Sequence, residues 1–209
     1  MVRPPTPREV NVAETRRAEF VAAIPSSVVE AEDRLPGVVR AMNASSRSKL
    51  QRIYQVADVL SKVREPYVAC GKGCASCCHM NVTITKVEAE RLAKAAGRKA
   101  ASLGRTIHHP QKKFAGLPCP FLDAQGVCSV YADRPLSCRK HASFFESACA
   151  CHPSVMNEIE VPQVAFSGLD EALFDVSSDG GLPVLADIRD FFPDVGRGRG
   201  ECVALVSES

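Results

Sequence analysis

Ten cysteines among 209 residues are the side chains best able to do chemistry in this chain, and most of them fall into two blocks. The first reads Cys70-x3-Cys74-x2-Cys77-Cys78 and runs directly into His79. Spacings this short let a single loop converge its thiolates on one centre, and Gly71 and Gly73 are expected to supply the positive-φ turns that such a loop demands. The second block reads Cys119-x8-Cys128-x9-Cys138, with Arg134 and Arg139 on either side of Cys138. A third group, Cys149-x-Cys151-His152, is less regular, and Cys202 stands alone. Thiolates are soft ligands that favour Zn²⁺, iron–sulfur clusters and Cu(I). A structural zinc can supply an apparent folding free energy of about 10–16 kcal/mol, against about 2–5 kcal/mol for a disulfide. The opening Met-Val-Arg-Pro-Pro-Thr-Pro lacks the apolar core of a secretory signal, so the expected compartment is the cytoplasm, which opposes disulfides. Metal binding by Cys70, Cys74, Cys77, Cys78, Cys119, Cys128 and Cys138 is the expectation that follows.

Seven thiols exceed the four that one tetrahedral ion takes. Two metals sharing bridging thiolates, a larger cluster, or a subset of free cysteines all remain open. The adjacent Cys77 and Cys78 point in different directions unless the loop kinks, so a bridged pair or a non-ligating cysteine is expected. Four thiolates around either Zn²⁺ or a [4Fe–4S]²⁺ core leave net negative charge that nearby donors must offset. Arg134 and Arg139 are expected to donate charge-assisted hydrogen bonds to the Cys138 sulfur, with ordinary surface solvation as the alternative. His79, Cys149, Cys151 and His152 are further candidates of lower rank, and Cys202 ranks last. The surplus of cysteines tilts the choice of cofactor from zinc toward an iron–sulfur cluster without deciding it.

The elements that must carry these loops are mainly helical. Hydrophobic residues make up 45% and charged residues 24% of the chain, the balance of a globular protein. A net charge of +2 excludes a histone-like polycation, and no apolar run approaches the roughly 20 residues of a membrane span. Residues 1–8, rich in proline, read as a disordered tail, and residues 9–65 as a helical extension. Within it, helices are expected from Glu9 to Ala23 and from Ser27 to Arg34, the latter closed by Pro36-Gly37. A longer helix reaches Val63, with Leu50, Ile53, Ala57 and Leu60 on one face to pack on the metal core or, alternatively, to form a self-association seam. Residues 66–152 hold the cysteine cluster. There Thr85 and Glu88 form a capping box that opens a helix to Ala96, stopped by Gly97. Between Lys86 and Lys113 eight Lys/Arg face two Glu. Residues 153–195 invert the balance, with nine Asp/Glu against Arg189 alone between 158 and 194, and further helices are expected at Leu169–Val176 and Leu185–Phe191. Residues 196–209 read as a flexible tail. Strand signals are sparse, so the class is a mainly-α, metal-stabilised cysteine-cluster domain with irregular loops and flanking helices.

Taken together, Cys70-x3-Cys74-x2-Cys77-Cys78, Pro118-Cys119-Pro120-Phe121-Leu122, Gly126-x-Cys128-x-Val130-Tyr131 and Arg134-Pro135-x-x-Cys138-Arg139 resemble the YkgJ-type cysteine-cluster family. Its members are described as zinc- or iron-chelating CxxxCxxCC domains. The resemblance covers about residues 67–140 and implies that the seven cysteines occupy ligand positions. It implies metal or cluster binding and names no reaction. A similar cluster occurs in flagellin lysine methylases, which keeps a group-transfer role in view.

Other functions fit less well. Cys70-x3-Cys74-x2-Cys77 alone matches radical-SAM spacing, but 132 residues after Cys77 are too few for most of a barrel of about 250, and the later cysteines would go unexplained. The basic stretch 86–113, with His108-His109, could contact phosphates. Yet tryptophan is absent and no zinc-finger spacing appears, so nucleic acid is disfavoured relative to a solvated face or docking on the acidic segment. No P-loop, GxGxxG, GxSxG or HExxH motif is present. Catalysis would have to come from the metal, with Tyr131, His141 and Glu146 as conceivable acid–base groups that are more simply structural. A protein partner, or self-association through the N-terminal helices, is a mode of interaction that the sequence leaves open.

Overall fold

The computed structural model describes residues 3–71, 73–110, 112–156, 159, 161–178 and 180–193. Nine α-helices and two short strands lie among them, so the protein is mainly α. Cys202 and the segment expected as a flexible tail fall outside the described residues.

Helix α1 (Pro7–Ala23) starts inside the stretch expected to be a tail, because Thr6 caps it: its hydroxyl accepts from the Glu9 N–H, and Glu9 reaches back to the Thr6 N–H. Helix α2 (Ser26–Asp33) follows the Pro25 break. It ends within a residue of the expected Arg34, but Pro36-Gly37 do not form the break. Pro36 instead occupies the first turn of α3 (Leu35–Ala41), where its missing N–H would have had no partner anyway. Helix α4 (Ser46–Arg64) buries Leu50, Ile53, Ala57 and Leu60 as the periodicity predicts, together with Tyr54, Val56 and Arg64.

Strand β1 (Thr83–Thr85) leads directly into α5 (Lys86–Ala96) through the expected capping box, and Gly97 closes that helix with a left-handed φ of 61°. Helix α6 (Leu136–Lys140) carries Cys138, and α7 (Pro153–Met156) and α8 (Ser167–Ser177) follow. The stretch expected as one helix from Leu185 to Phe191 divides. Leu185–Asp187 is strand β2, antiparallel to β1 with Ile84 opposite Ala186, and only Ile188–Phe191 is helical, as α9. The division is non-local in origin. The β1 edge offers ladder partners that no neighbouring residue could announce, and Asp187, with Asp190 three residues on, caps the short helix.

Two apolar cores result. In the first, Phe20, Leu35, Leu50, Ile53, Tyr54, Leu60, Phe144 and Leu169 are all nearly inaccessible. Helix α8 packs on α3 and α4 there, so the segments on either side of the cysteine blocks share one core. Buried Glu32 of α2 accepts the Leu169 N–H at 2.8 Å, serving the α8 N-terminus that no cap side chain serves. The second core holds Ile84, Leu92, Cys119, Phe121, Ile188, Phe191 and Phe192. Glu88 joins the two: its carboxylate accepts from the Tyr54 hydroxyl at 3.1 Å, the Leu136 N–H at 2.7 Å and the Thr85 N–H at 3.0 Å. The basic stretch packs along the acidic segment mainly through backbone groups such as Ile107 N–H to Leu185 C=O (2.8 Å) and Ala101 N–H to Phe191 C=O (2.7 Å), and His109 Nε2 lies 2.9 Å from the Asp190 carboxylate. Among the described residues no helix is long and apolar enough to cross a membrane.

Candidate metal centre

Backbone geometry explains how each block presents its sulfurs. In the first, the Cys74 N–H closes a turn on the Gly71 C=O at 3.0 Å, and Gly73 takes a φ of 95° that only glycine adopts readily. Gly71, expected to share that role, does not have a positive φ. A 3-10 turn, Ser76–His79, then carries Cys77 and Cys78. In the second block, Leu122 and Cys128 pair across a turn held by the Asp123 carboxylate, which accepts from Gln125 N–H (3.0 Å) and Val127 N–H (2.8 Å). The blocks meet where the Cys119 N–H donates to the Cys78 C=O at 2.7 Å.

All seven cysteines of the two blocks line a single cavity of about 610 Å³. The nine cysteines among the described residues are free of disulfides. The sulfurs border a shared space rather than a closed tetrahedron: among the described residues no three His, Cys, Asp or Glu side chains lie close enough to hold an ion as they stand.

Burial controls the chemistry of these thiols. Cys138 is pushed well above the ordinary thiol range by desolvation, with Cys77, Cys119 and Cys128 adding to it. Cys119 is raised to about 11 by burial, against the opposing Phe121 N–H and the Arg189 charge. Cys77 is raised first by its hydrogen bond with Cys78 and then by burial. Burial also raises Cys70 and Cys128; the Ser143 N–H, 3.3 Å from the Cys70 sulfur, opposes it in the first case, and the Val130 N–H and Arg134 in the second. A bound cation inverts this balance, because it replaces the thiol protons.

The cavity also has buried polar atoms in want of a partner. Arg134 Nε, Ser137 Oγ and His141 Nε2 are buried without a hydrogen-bond partner, and all three residues line it. Buried polar atoms left open in this way call for a missing ion or group. Thiolate or inorganic sulfide sulfur is an acceptor that suits Arg134 Nε and Ser137 Oγ, so these donors and the seven thiols fit a thiolate-held metal or cluster.

The two arginines expected beside Cys138 behave differently. Arg134 lies in the cavity, stacked on Tyr131 with its guanidinium carbon 4.1 Å from the ring centroid. Arg139 is turned away. Its guanidinium donates to Asp58, to the Arg134 C=O (2.8 Å) and to the Ala132 C=O (2.5 Å), and it stacks on Tyr54 at 4.2 Å. With its donors engaged, it ties the cysteine loop to α4 instead of reaching the Cys138 sulfur. Tyr131 and His141 face the cavity, and burial lowers the His141 pKa so that its imidazole is neutral at pH 7. Glu146 is exposed elsewhere.

His79 does not line the cavity, and its Nδ1 is 3.1 Å from the Ala75 C=O. In the third group Cys149 is exposed and His152 Nδ1 bonds with the Ser154 hydroxyl at 2.7 Å. Cys151 alone is buried, raised to about 11 by desolvation and further by Cys70, Cys74 and Cys77.

Sequence reasoning missed Arg64. It ends α4, is 8% exposed, lines the cavity and donates to the Lys140 and Arg139 carbonyls at 2.7 and 2.8 Å. Its signal was present: Arg64 lies four residues beyond Leu60 and extends the buried stripe of α4 with a cation.

Residues 69–167 match a family model described as "CxxCxxCC: Putative zinc- or iron-chelating domain", the kind of cysteine cluster that the motif resembles. No curated protein and no solved structure matches the chain.

Proposed function

We propose that the zinc- or iron-chelating domain of residues 69–167 holds a polynuclear thiolate centre, an iron–sulfur cluster in preference to zinc, with Cys70, Cys74, Cys77, Cys78, Cys119, Cys128 and Cys138 as its ligand pool. The observation that carries this reading is the shared cavity: seven thiols from two loops about 50 residues apart face one space of about 610 Å³. A lone tetrahedral ion uses four of them. Cys77 is near enough to both blocks to raise the thiols of Cys70 in the first and of Cys128 and Cys138 in the second. Arg64 and Arg134 bring positive charge to a site whose ligands turn negative on deprotonation. Arg134 Nε and Ser137 Oγ can donate to cluster sulfur, which stabilises its charge and tunes its potential.

Such a centre, when bound, supplies either a cross-link between the two loops or one-electron redox chemistry. The chain's own residues bring the thiols together, screen them from water and offset their charge. Anaerobic purification followed by metal and acid-labile sulfide analysis, with a visible absorption spectrum, tests the proposal. Iron and sulfide in comparable amounts with broad visible absorption would support the cluster. Two or more zinc ions in a colourless protein would retain the polynuclear centre and reject the cluster. A folded, metal-free protein would overturn the reading.

A further inference from the structure

Arg189 is the one basic residue in an otherwise acidic stretch, and it lies 22 positions beyond the last residue of the family match, 167. Its side chain is 10% exposed. From α9 its guanidinium reaches both cysteine loops. Toward the first, it donates to the Cys78 C=O at 3.2 Å and the Met80 C=O at 3.0 Å. Toward the second, it donates to the Leu117 C=O at 2.5 Å and the Pro118 C=O at 3.2 Å. Asp187 completes the arrangement: one carboxylate oxygen accepts from Arg189 at 3.0 Å, and the other accepts the Val82 N–H at 2.7 Å. Ile188 from the same element lines the cavity, and its N–H donates to the Val82 C=O at 2.9 Å.

We infer that Arg189 is a positioning residue of the metal centre, setting the separation of the two cysteine loops from an element outside the matched domain. This rests on the thiol cavity being a metal site. The planar fork of a guanidinium can address four carbonyls on two loops at once, whereas a lysine offers one nitrogen. Cys78 and Cys119 sit directly at the clamped carbonyls, so movement of either loop by an ångström displaces a sulfur by a comparable distance. Thiolate geometry, and with it metal affinity, depends on that spacing.

Co(II) titration of the metal-free full chain under anaerobic conditions tests the assignment, read by thiolate-to-cobalt charge transfer and by the d–d bands that report coordination geometry. Wild type is compared with Arg189→Met, Arg189→Lys and Phe192→Leu, the last loosening the packing of the same element on Phe121 without removing a carbonyl contact. Arg189→Met is expected to weaken Co(II) binding more than tenfold and shift the d–d bands while helical circular dichroism persists. Arg189→Lys should recover part of the affinity, and Phe192→Leu should bind as wild type despite lower stability. Wild-type binding and bands in Arg189→Met would overturn the inference and leave the metal centre standing. So would wild-type behaviour of Arg189→Lys should the Met variant fail to fold. A wild-type protein that takes up no Co(II) would overturn the metal reading and this inference with it.

Discussion

Replacing Glu88 tests how the two cores communicate, because its carboxylate is their shared polar contact. It is 1% exposed and accepts from Tyr54 Oη, Leu136 N–H and Thr85 N–H. Glu88→Ala strands three buried donors, each costing about 1–3 kcal/mol when left without an acceptor. Partial relaxation and water entry reduce the sum to about 3–5 kcal/mol, a large share of the ~5–15 kcal/mol that stabilises a domain. Glu88→Gln keeps one oxygen for Tyr54 and Leu136 but turns an amide NH₂ toward the Thr85 N–H, which limits the cost to about 1–2 kcal/mol. Urea denaturation at constant m-value reads both figures as shifts in midpoint. The pH dependence carries a sign. Burial raises the Glu88 pKa above the ordinary carboxylate range, against the Leu136 and Thr85 N–H groups that favour the charged form. The folded state therefore keeps the proton to higher pH than the unfolded state does. Stability from this group is greatest below the unfolded pKa and is lost as pH rises through the folded one. Glutamine does not titrate, so the wild-type advantage over Glu88→Gln should narrow as pH rises. Because the Leu136 N–H opens the helix that carries Cys138, Glu88→Ala should also reduce metal retention. Equal costs for Ala and Gln, or an Ala cost below about 1 kcal/mol, would refute the argument.

Three further outcomes are expected. Gly168→Ala places a Cβ 2.1 Å from the Glu32 carbonyl oxygen and should destabilise by about 2 kcal/mol or more, whereas Gly37→Ala, a helical site with open space around it, should stabilise by about 0.5–1 kcal/mol; thermal unfolding of the pair checks both signs. Arg3 and the Thr6 N–H and hydroxyl hold Glu9 down to about 2, so its cap on α1 is intact above the ordinary carboxylate range and lost as pH falls toward 2; an NMR titration should find the Glu9 midpoint raised in Arg3→Ala but still below its ordinary value, because both Thr6 donors remain. Chelation should open the second core first, since Cys119 is buried there with Cys78, Cys128 and Cys138 packed against it while the first core holds no cysteine. Hydrogen exchange should then rise around residues 82–138 with α3, α4 and α8 still protected, and a uniform rise across the chain would contradict that order.

The parts of this fold written in local chemistry could be read from the sequence. The Thr85–Glu88 box and the Gly97 stop define α5 from residues within one turn of each end, and the Leu50–Leu60 stripe defines α4 by its period. Cysteine spacing gave the family resemblance and the two blocks, because loop reach constrains thiols that share a centre. The failures were non-local. Leu185–Asp187 has helix-compatible residues and becomes strand because β1, about 100 residues earlier, needs a partner. Pro36 stops a helix in general, but at the first turn it starts one. Arg139 flanks Cys138 in sequence and is nevertheless drawn away by Asp58 and two carbonyls, while Arg64 and Arg189, remote in sequence, reach the cavity and its loops.

The pairing of β1 with β2 also has a consequence in time. Strand β2, Leu185–Asp187, which leads into the cavity-lining Ile188, is made about 100 residues after Thr83–Thr85 and 47 residues after Cys138. At roughly 5–20 residues per second, every cysteine of the two blocks is synthesised about 2–9 s before β2. A nascent chain therefore passes through an interval with its whole ligand pool present and its C-terminal side open. Metal delivery, or thiol oxidation, competes within that interval, and the arrival of β2 and α9 sets when it ends.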